Sequence, residues 1–98
     1  MPLERNICVS IDRLLRTYPD LWSMKVHGSP MQRAGVPDYL ILYRGKTLFV
    51  EVKRPGEQPT KIQEFTMDGI GRTGAAFCHV VTSAAELRTI LMKIDGVT

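Results

Sequence analysis

Two apolar runs separated by a short polar turn constrain the fold of this chain more than any other feature. Residues 38–43 and 47–53 are rich in β-branched and aromatic side chains, and they flank the sequence Arg44-Gly45-Lys46. Strands with such side chains on both sides of a glycine-containing turn are typical of a β-hairpin. We therefore predict an antiparallel hairpin closed by a three-residue turn.

Charged side chains stand at the open end of this hairpin. Asp38 enters the first strand, while Glu51 and Lys53 leave the second strand on one face, because side chains alternate along a strand. The start of one strand lies beside the end of its hairpin partner, so Asp38 is expected near Glu51. Two buried carboxylates are costly, and a bound divalent cation would offset that cost.

The remaining segments alternate between helical and strand patterns. Helices are predicted at 3–18, at 61–70 and after the capping sequence at 83–86, and further strands at 22–26 and 75–81. The last strand is nearly all apolar, which predicts burial on both faces and a right-handed parallel crossover from the hairpin. The order α-β-β-β-α-β-α predicts a mixed α/β (α+β) fold with a four-stranded mixed sheet flanked by helices, in one domain over 1–98.

Two predicted helices direct polar residues toward the hairpin. The apolar stripe of the first helix extends back to Glu4, which either complements the helix dipole or points at the sheet as a metal ligand. Thr60 is suited to N-cap the second helix, and Gln63 then lies near the exit of the Glu51 strand. The inner face of this second helix is predicted to carry Ile62, Phe65, Thr66, Gly69 and Ile70.

The remaining polar residues and the cysteines give weaker indications of a functional role. The segment 27–35 reads as a long loop in which Arg33 is suited to contact phosphate, whereas His27 is more typical of a structural or solvated histidine. His79 lies inside the last strand and is predicted to be packed. Cys8 and Cys78 stand far apart in apolar contexts, which predicts buried reduced thiols rather than a disulfide or a metal site.

Composition limits the partners of the chain. It has 98 residues, with 13 lysines and arginines against 10 aspartates and glutamates. Once Glu4, Asp38, Glu51 and Lys53 are assigned to one site, the rest is clearly basic, which suits either a polyanionic partner or ordinary solubility. The start lacks a hydrophobic signal region and no apolar run approaches the ~20 residues that span a bilayer, so we expect a cytosolic protein without membrane contact.

The residue types at the hairpin end select a particular chemistry. Carboxylate oxygens prefer hard cations such as Mg²⁺ or Mn²⁺, and no cysteine or histidine spacing indicates zinc. A cation held by few carboxylates keeps positions for water and for phosphate oxygens. A lysine two residues from such a ligand can orient the attacking water and stabilise negative charge. The set is suited to metal-dependent phosphodiester hydrolysis.

These motifs together resemble the PD-(D/E)XK nucleases, and more closely their VRR-NUC branch, the virus-type replication-repair nucleases. The resemblance covers nearly the whole chain. It is carried by Glu4, Lys25-Val26-His27-Gly28, Gly35-Val36-Pro37-Asp38, Glu51-Val52-Lys53-Arg54-Pro55-Gly56, Pro59-Thr60 and Gln63. It implies a divalent-metal DNA endonuclease with a restriction-endonuclease-like core.

The resemblance also implies roles for individual residues. Asp38 and Glu51 would be metal ligands, with Glu4 as the first-helix acid that completes such a site and the Val52 carbonyl as a further ligand. Lys53 would be the catalytic lysine. Gln63 matches a glutamine beside the active site of the family.

Small members of this branch are similar to phage-encoded proteins and to Holliday-junction resolvases, which implies a homodimer acting on branched DNA such as four-way junctions or flaps. A phage-encoded protein would act in the host cytoplasm. Two alternatives stay open at this point. One is a non-catalytic nucleic-acid-binding module with the same fold. The other is a structural protein in which Glu51 merely pairs with Lys53, which leaves Asp38 and Glu4 unexplained.

Overall fold

A computed structural model of the chain describes residues 3–26 and 34–97. The elements of these residues run in the order α1 (Glu4–Leu15), β1 (Trp22–Lys25), β2 (Tyr39–Tyr43), β3 (Lys46–Val52), α2 (Lys61–Arg72), β4 (Phe77–Val81) and α3 (Ala84–Ile94). One sheet has the strand order β1-β2-β3-β4, with antiparallel pairs β1–β2 and β2–β3 and a parallel pair β3–β4. The predicted element order and four-stranded mixed sheet are confirmed.

The hairpin turn is one residue shorter than predicted. Tyr43 pairs with Lys46, so only Arg44 and Gly45 form the loop. Both have positive φ, 48° at Arg44 and 75° at Gly45. Positive φ at both central residues defines the type I′ turn, whose twist matches that of the flanking strands. Lys46 therefore begins β3 instead of completing the turn.

The core lies between one face of the sheet and helices α1 and α3. Ile7, Ile11 and Leu15 recur every fourth residue along α1, so they project from one side of the helix and are buried. From α3, Leu87 and Leu91 enter the same core. The buried sheet residues that complete it are Tyr39, Ile41, Tyr43, Leu48, Val50, Val52 and Val81. Helix α1 ends at Leu15 rather than at 18, and the following turn brings Tyr18 against this core.

Helix α2 packs differently from the other two. It contacts β4, and within the described part of the chain none of its residues is buried. Phe65 is 76% exposed and Ile62 is 54% exposed, so the predicted inner face is wrong at both positions. Gln63, Thr66, Met67 and Ile70 are the half-buried residues of the helix, so the prediction is confirmed at Thr66 and Ile70 and is also wrong at Gly69. Helical periodicity identified an apolar stripe, but the orientation of α2 also depends on the hydrogen bonds of Gln63 to Glu51 and of Thr66 to the loop at Ala34.

Strand β4 forms an edge of the sheet, because its neighbour among the described strands is β3 alone. Phe77 is 53% exposed and Val80 is 40% exposed, so the predicted burial on both faces is wrong. His79 is half-buried in this strand, where desolvation and the nearby charge of Lys93 lower its pKa.

Cys8 and Cys78 are free cysteines, and both are half-buried, so the predicted burial is only partial. No helix in the described ranges is both long and apolar enough to cross a membrane.

Candidate active site

The hairpin register brings the two central acids together. Tyr39 pairs with Val50, so continuing the ladder by one residue places Asp38 beside Glu51. The Asp38 Oδ2 atom accepts a hydrogen bond from the backbone N–H of Val52 at 2.8 Å, which ties the start of β2 to the end of β3. Asp38 and Glu51 are 8% and 3% exposed. The structure therefore holds two carboxylates side by side in a largely desolvated position.

One oxygen of Glu51 receives two polar neighbours. Gln63 Nε2 donates a hydrogen bond to Glu51 Oε2 at 2.9 Å, and Lys53 Nζ lies 3.4 Å from the same oxygen. The Lys53 side chain is only 12% exposed, so its ammonium group interacts with Glu51 away from bulk water. Lys53 directly follows β3, and alternation along the strand direction places it on the same side as Glu51, opposite to the core. The two contacts at Oε2 together fix the orientation of the carboxylate.

The first turn of α2 sets the orientation of Gln63. Gln63 Oε1 accepts a hydrogen bond from the Thr60 N–H at 2.9 Å, and Thr60 Oγ1 accepts one from the Gln63 N–H at 3.3 Å. This reciprocal capping box satisfies backbone donors at the helix start. Because the amide oxygen is engaged by the cap, the amide nitrogen is directed at Glu51. The same residue therefore caps α2 and anchors that helix to the site.

The electrostatic surroundings disfavour the charged form of Glu51. The pKa of Glu51 is raised from an ordinary value of 4.5 to about 7, chiefly by burial and next by the neighbouring charge of Asp38. The ammonium of Lys53 opposes this effect, and the charge of Glu4 adds the smallest contribution in the same direction. A cation near these carboxylates would favour the ionised form.

Glu4 lies at the first turn of α1 and lines the same cleft as Asp38. The cleft measures about 340 Å³ and is lined by Glu4, Arg5, Cys8, Val9, Lys25 and Asp38. The position of Glu4 at a helix start and its charge effect on Glu51 fit both readings that periodicity left open, dipole complementation and a place in the site. Glu4 as a metal ligand stays a prediction.

The donor set is suited to Mg²⁺ or Mn²⁺ in its chemistry. In residues 3–26 and 34–97, no three histidine, cysteine, aspartate or glutamate side chains are grouped closely enough to hold a metal ion. The carboxylates that the fold does juxtapose are Asp38 and Glu51, with the main chain of Val52 next to them. Mg²⁺ is usually held by one or two carboxylates together with water and substrate phosphate, so an oxygen pair of this kind fits it.

A second polar cluster ties α1 to the strand that carries Asp38. Tyr39 is 2% exposed, and its hydroxyl donates to Asp12 Oδ1 at 2.7 Å, with the Cys8 carbonyl oxygen at 3.3 Å. Lys25 Nζ lies 3.7 Å from Asp12 Oδ2 and 5.7 Å from the centre of the Tyr39 ring. No sequence pattern pointed to this cluster, because its members lie on separate elements. Two other candidates, His27 and Arg33, lie outside the described residues.

Comparison with known proteins identifies similar structures. No protein-family model and no curated protein matches the sequence. A solved structure described as a VRR_NUC domain shares 26% sequence identity over 90% of this chain and 92% of its own, with a TM-score of 0.71. Another, described as a VRR_NUC domain protein, shares the fold at 15% identity, covering 95% of this chain and 88% of its own with a TM-score of 0.74.

Proposed function

The chain folds as a VRR-NUC domain, a nuclease-type domain, and from this premise we propose that it is a divalent-metal-dependent DNA endonuclease that hydrolyses phosphodiester bonds. The observation that carries the proposal is the placement of Glu51. This buried carboxylate lies beside Asp38 and is held by Lys53 and Gln63 through one oxygen. A purely structural role would not require a second buried acid next to it, because like charges in a desolvated position destabilise the fold.

Each residue has a distinct part in the proposed reaction. Asp38, Glu51, the Val52 carbonyl and Glu4 would hold Mg²⁺ or Mn²⁺, which supplies Lewis-acid chemistry and a more acidic bound water when present. Gln63 keeps the Glu51 carboxylate in one orientation through its hydrogen bond at 2.9 Å. Lys53, with its ammonium next to Glu51, orients the attacking water and stabilises negative charge that develops on the phosphate.

We further propose that two copies of the chain act together on branched DNA. An apolar surface supports a dimer: Trp22 and Met24 of β1 pair with Leu42 and Leu40 of β2, and Trp22, Met24 and Leu42 are all exposed. The basic excess outside the site supports binding to a polyanion. A protein that stays monomeric in light scattering at micromolar concentration and still cuts four-way junctions would contradict the dimer.

A cleavage assay tests the proposed reaction. The protein is incubated with labelled four-way, flapped and linear duplex DNA in Mg²⁺, in Mn²⁺ or in EDTA. We expect cuts that depend on the metal and favour the branched substrates. Binding without cuts in any metal would favour the alternative, a non-catalytic nucleic-acid-binding module. Absence of both binding and cleavage would exclude the two functions together and leave a structural role.

Substitution of Lys53 tests whether the proposed site carries out the cleavage. We expect Lys53→Ala to lower the cleavage rate by at least about 100-fold while DNA binding is retained, because the residue acts on the reacting groups. Lys46→Ala is the matched control, since Lys46 is an exposed lysine at the start of β3, whereas Lys53 follows the end of that strand. A wild-type cleavage rate in Lys53→Ala would remove Lys53 from the mechanism.

A further inference from the structure

The position of α2 needs an explanation other than burial. None of its residues is buried within the described chain, yet the helix must be placed accurately for Gln63 to reach Glu51 at 2.9 Å. Helices are usually held on a domain by a buried apolar face, whereas on α2 Ile62 and Phe65 are exposed and Met67 and Ile70 are only half-buried. A further contact, in addition to this partial packing on β4, therefore helps to fix the helix.

Gly35 makes that contact. A Cβ atom at Gly35 would lie 2.7 Å from the Ile62 carbonyl oxygen and 2.7 Å from Thr66 Oγ1, so only a glycine fits between the loop and the helix. The backbone of Gly35 also has a φ of 81°, in the region that favours glycine. Beside it, Thr66 Oγ1 donates a hydrogen bond to the Ala34 carbonyl oxygen at 3.3 Å. The loop backbone rests directly on the second turn of α2.

This contact closes a ring of interactions around the site. Gly35 precedes Asp38 by three residues, and Asp38 accepts the Val52 N–H. On the other side, α2 connects through Gln63 to Glu51, the residue before Val52. The segment that delivers Asp38 and the helix that delivers Gln63 are thus fixed to each other as well as to β3.

We propose that Gly35 and Thr66 are positioning residues of the nuclease site, which seat α2 on the loop so that Gln63 holds the Glu51 carboxylate. This inference rests on the proposed function for its effect on cleavage, although the contact itself does not. The substitution Gly35→Ala pushes the helix and the loop apart, and Thr66→Val removes the hydroxyl while keeping the side-chain shape. Both act on Glu51 through Gln63.

Two glycines provide matched controls. Gly96 has a φ of 82°, close to that of Gly35, and Gly69 lies within α2 itself. At both positions a Cβ would have no heavy atom of the described residues within 4 Å. Gly96→Ala therefore reproduces the backbone strain of Gly35→Ala without the collision, and Gly69→Ala alters α2 without touching the loop. Thr66→Ser keeps the hydroxyl and controls for Thr66→Val.

The experiment combines kinetics with a spectroscopic readout. We expect Gly35→Ala to lower kcat by at least about tenfold and to leave KM for DNA within about twofold, since small misplacements at a reacting centre lower rates steeply. In ¹H–¹⁵N spectra, the side-chain amide signals of Gln63 should move toward solvent-exposed positions in Gly35→Ala and Thr66→Val. They should stay unchanged in Gly69→Ala, Gly96→Ala and Thr66→Ser.

A double-mutant cycle separates positioning from general destabilisation. In a Gln63→Ala background, Gly35→Ala should change kcat by less than about twofold, because the group through which it acts is gone. The inference would be overturned if the losses of kcat caused by Gly35→Ala and Gln63→Ala were additive, or if the Gln63 signals stayed unchanged in Gly35→Ala and Thr66→Val. If circular dichroism shows that Gly35→Ala does not fold, the Gln63 signals of Thr66→Val provide the test. If the wild type cuts no DNA, the spectra still decide the contact, and only the nuclease assignment fails.

Discussion

Replacing Glu51 by glutamine should stabilise the protein in the absence of metal, by an amount that grows above pH 4.5 and is complete above about pH 7. Glu51 is almost fully buried beside Asp38, and its pKa is raised to about 7 from 4.5. Glutamine has nearly the same shape, and its oxygen can accept the hydrogen bond that Gln63 Nε2 donates to Glu51. The substitution therefore mimics the protonated acid and removes the penalty for ionising it.

The magnitude follows from the two pKa values. Below pH 4.5 the acid is protonated in both the folded and the unfolded chain, so its charge affects neither. Between pH 4.5 and about pH 7, Glu51 is ionised in the unfolded chain but keeps its proton in the folded chain. The free energy of unfolding of the wild type therefore falls by about 1.4 kcal/mol for each pH unit. Above that range the loss is complete, and Glu51→Gln should be more stable by up to about 3 kcal/mol.

Urea unfolding in EDTA from about pH 4.5 to about pH 8.5 measures this difference. Glu64→Gln is the control, since Glu64 is an exposed acid on α2 and should give a small, nearly constant difference. The wild type and Glu51→Gln could instead be equally stable across this range, or the variant could be less stable at about pH 8. Either result would show that the surroundings do not disfavour the ionised carboxylate, and would remove the physical reason for a cation there.

Two further predictions extend this reasoning. Millimolar Mn²⁺ should raise the melting temperature of the wild type at about pH 8 but not that of Glu51→Gln, because a ligand that binds only the folded state stabilises it; equal shifts in differential scanning fluorimetry would place the ion elsewhere. Tyr39→Phe should lower the free energy of unfolding by about 1.5–3 kcal/mol, because it leaves Asp12 without its buried hydroxyl donor at 2.7 Å. Unchanged urea unfolding relative to the exposed control Thr89→Ala would contradict the importance of that bond.

The hairpin was predictable because its signals are local. Alternating apolar residues around a glycine turn define two antiparallel strands, and antiparallel pairing alone places Asp38 near Glu51. The turn length was missed by one residue since Lys46 is equally suited to a turn and to a strand end. The capping role of Thr60 was predictable for the same local reason, whereas the second hydrogen bond of Gln63, to Glu51, depends on where α2 lies in space.

Errors arose where a pattern does not say which neighbour covers an apolar surface. The run that contains Phe77 and Val80 reads as a buried strand, but strand order is a property of the whole sheet and placed it at an edge. Phe65 continues a helical apolar stripe, but α2 reaches β3 through Gln63 and the loop before β2 through Thr66. The cluster of Tyr39 and Asp12 joins residues 27 apart in sequence, and no local rule connects them.

One face of the sheet packs the hydrophobic core, and the other face carries the candidate site. Helices α1 and α3 bury Ile11, Leu87 and Leu91 completely on one face, and that core supplies the stability. The other face carries Glu51, whose ionisation destabilises the fold, next to helix α2, in which no described residue is fully buried. Under the proposed function the Glu51 carboxylate must stay available for a cation, so its surroundings cannot be packed like a core. Its accuracy must then come from directed contacts such as the Thr60–Gln63 cap, so substitutions there should impair activity well before they unfold the chain.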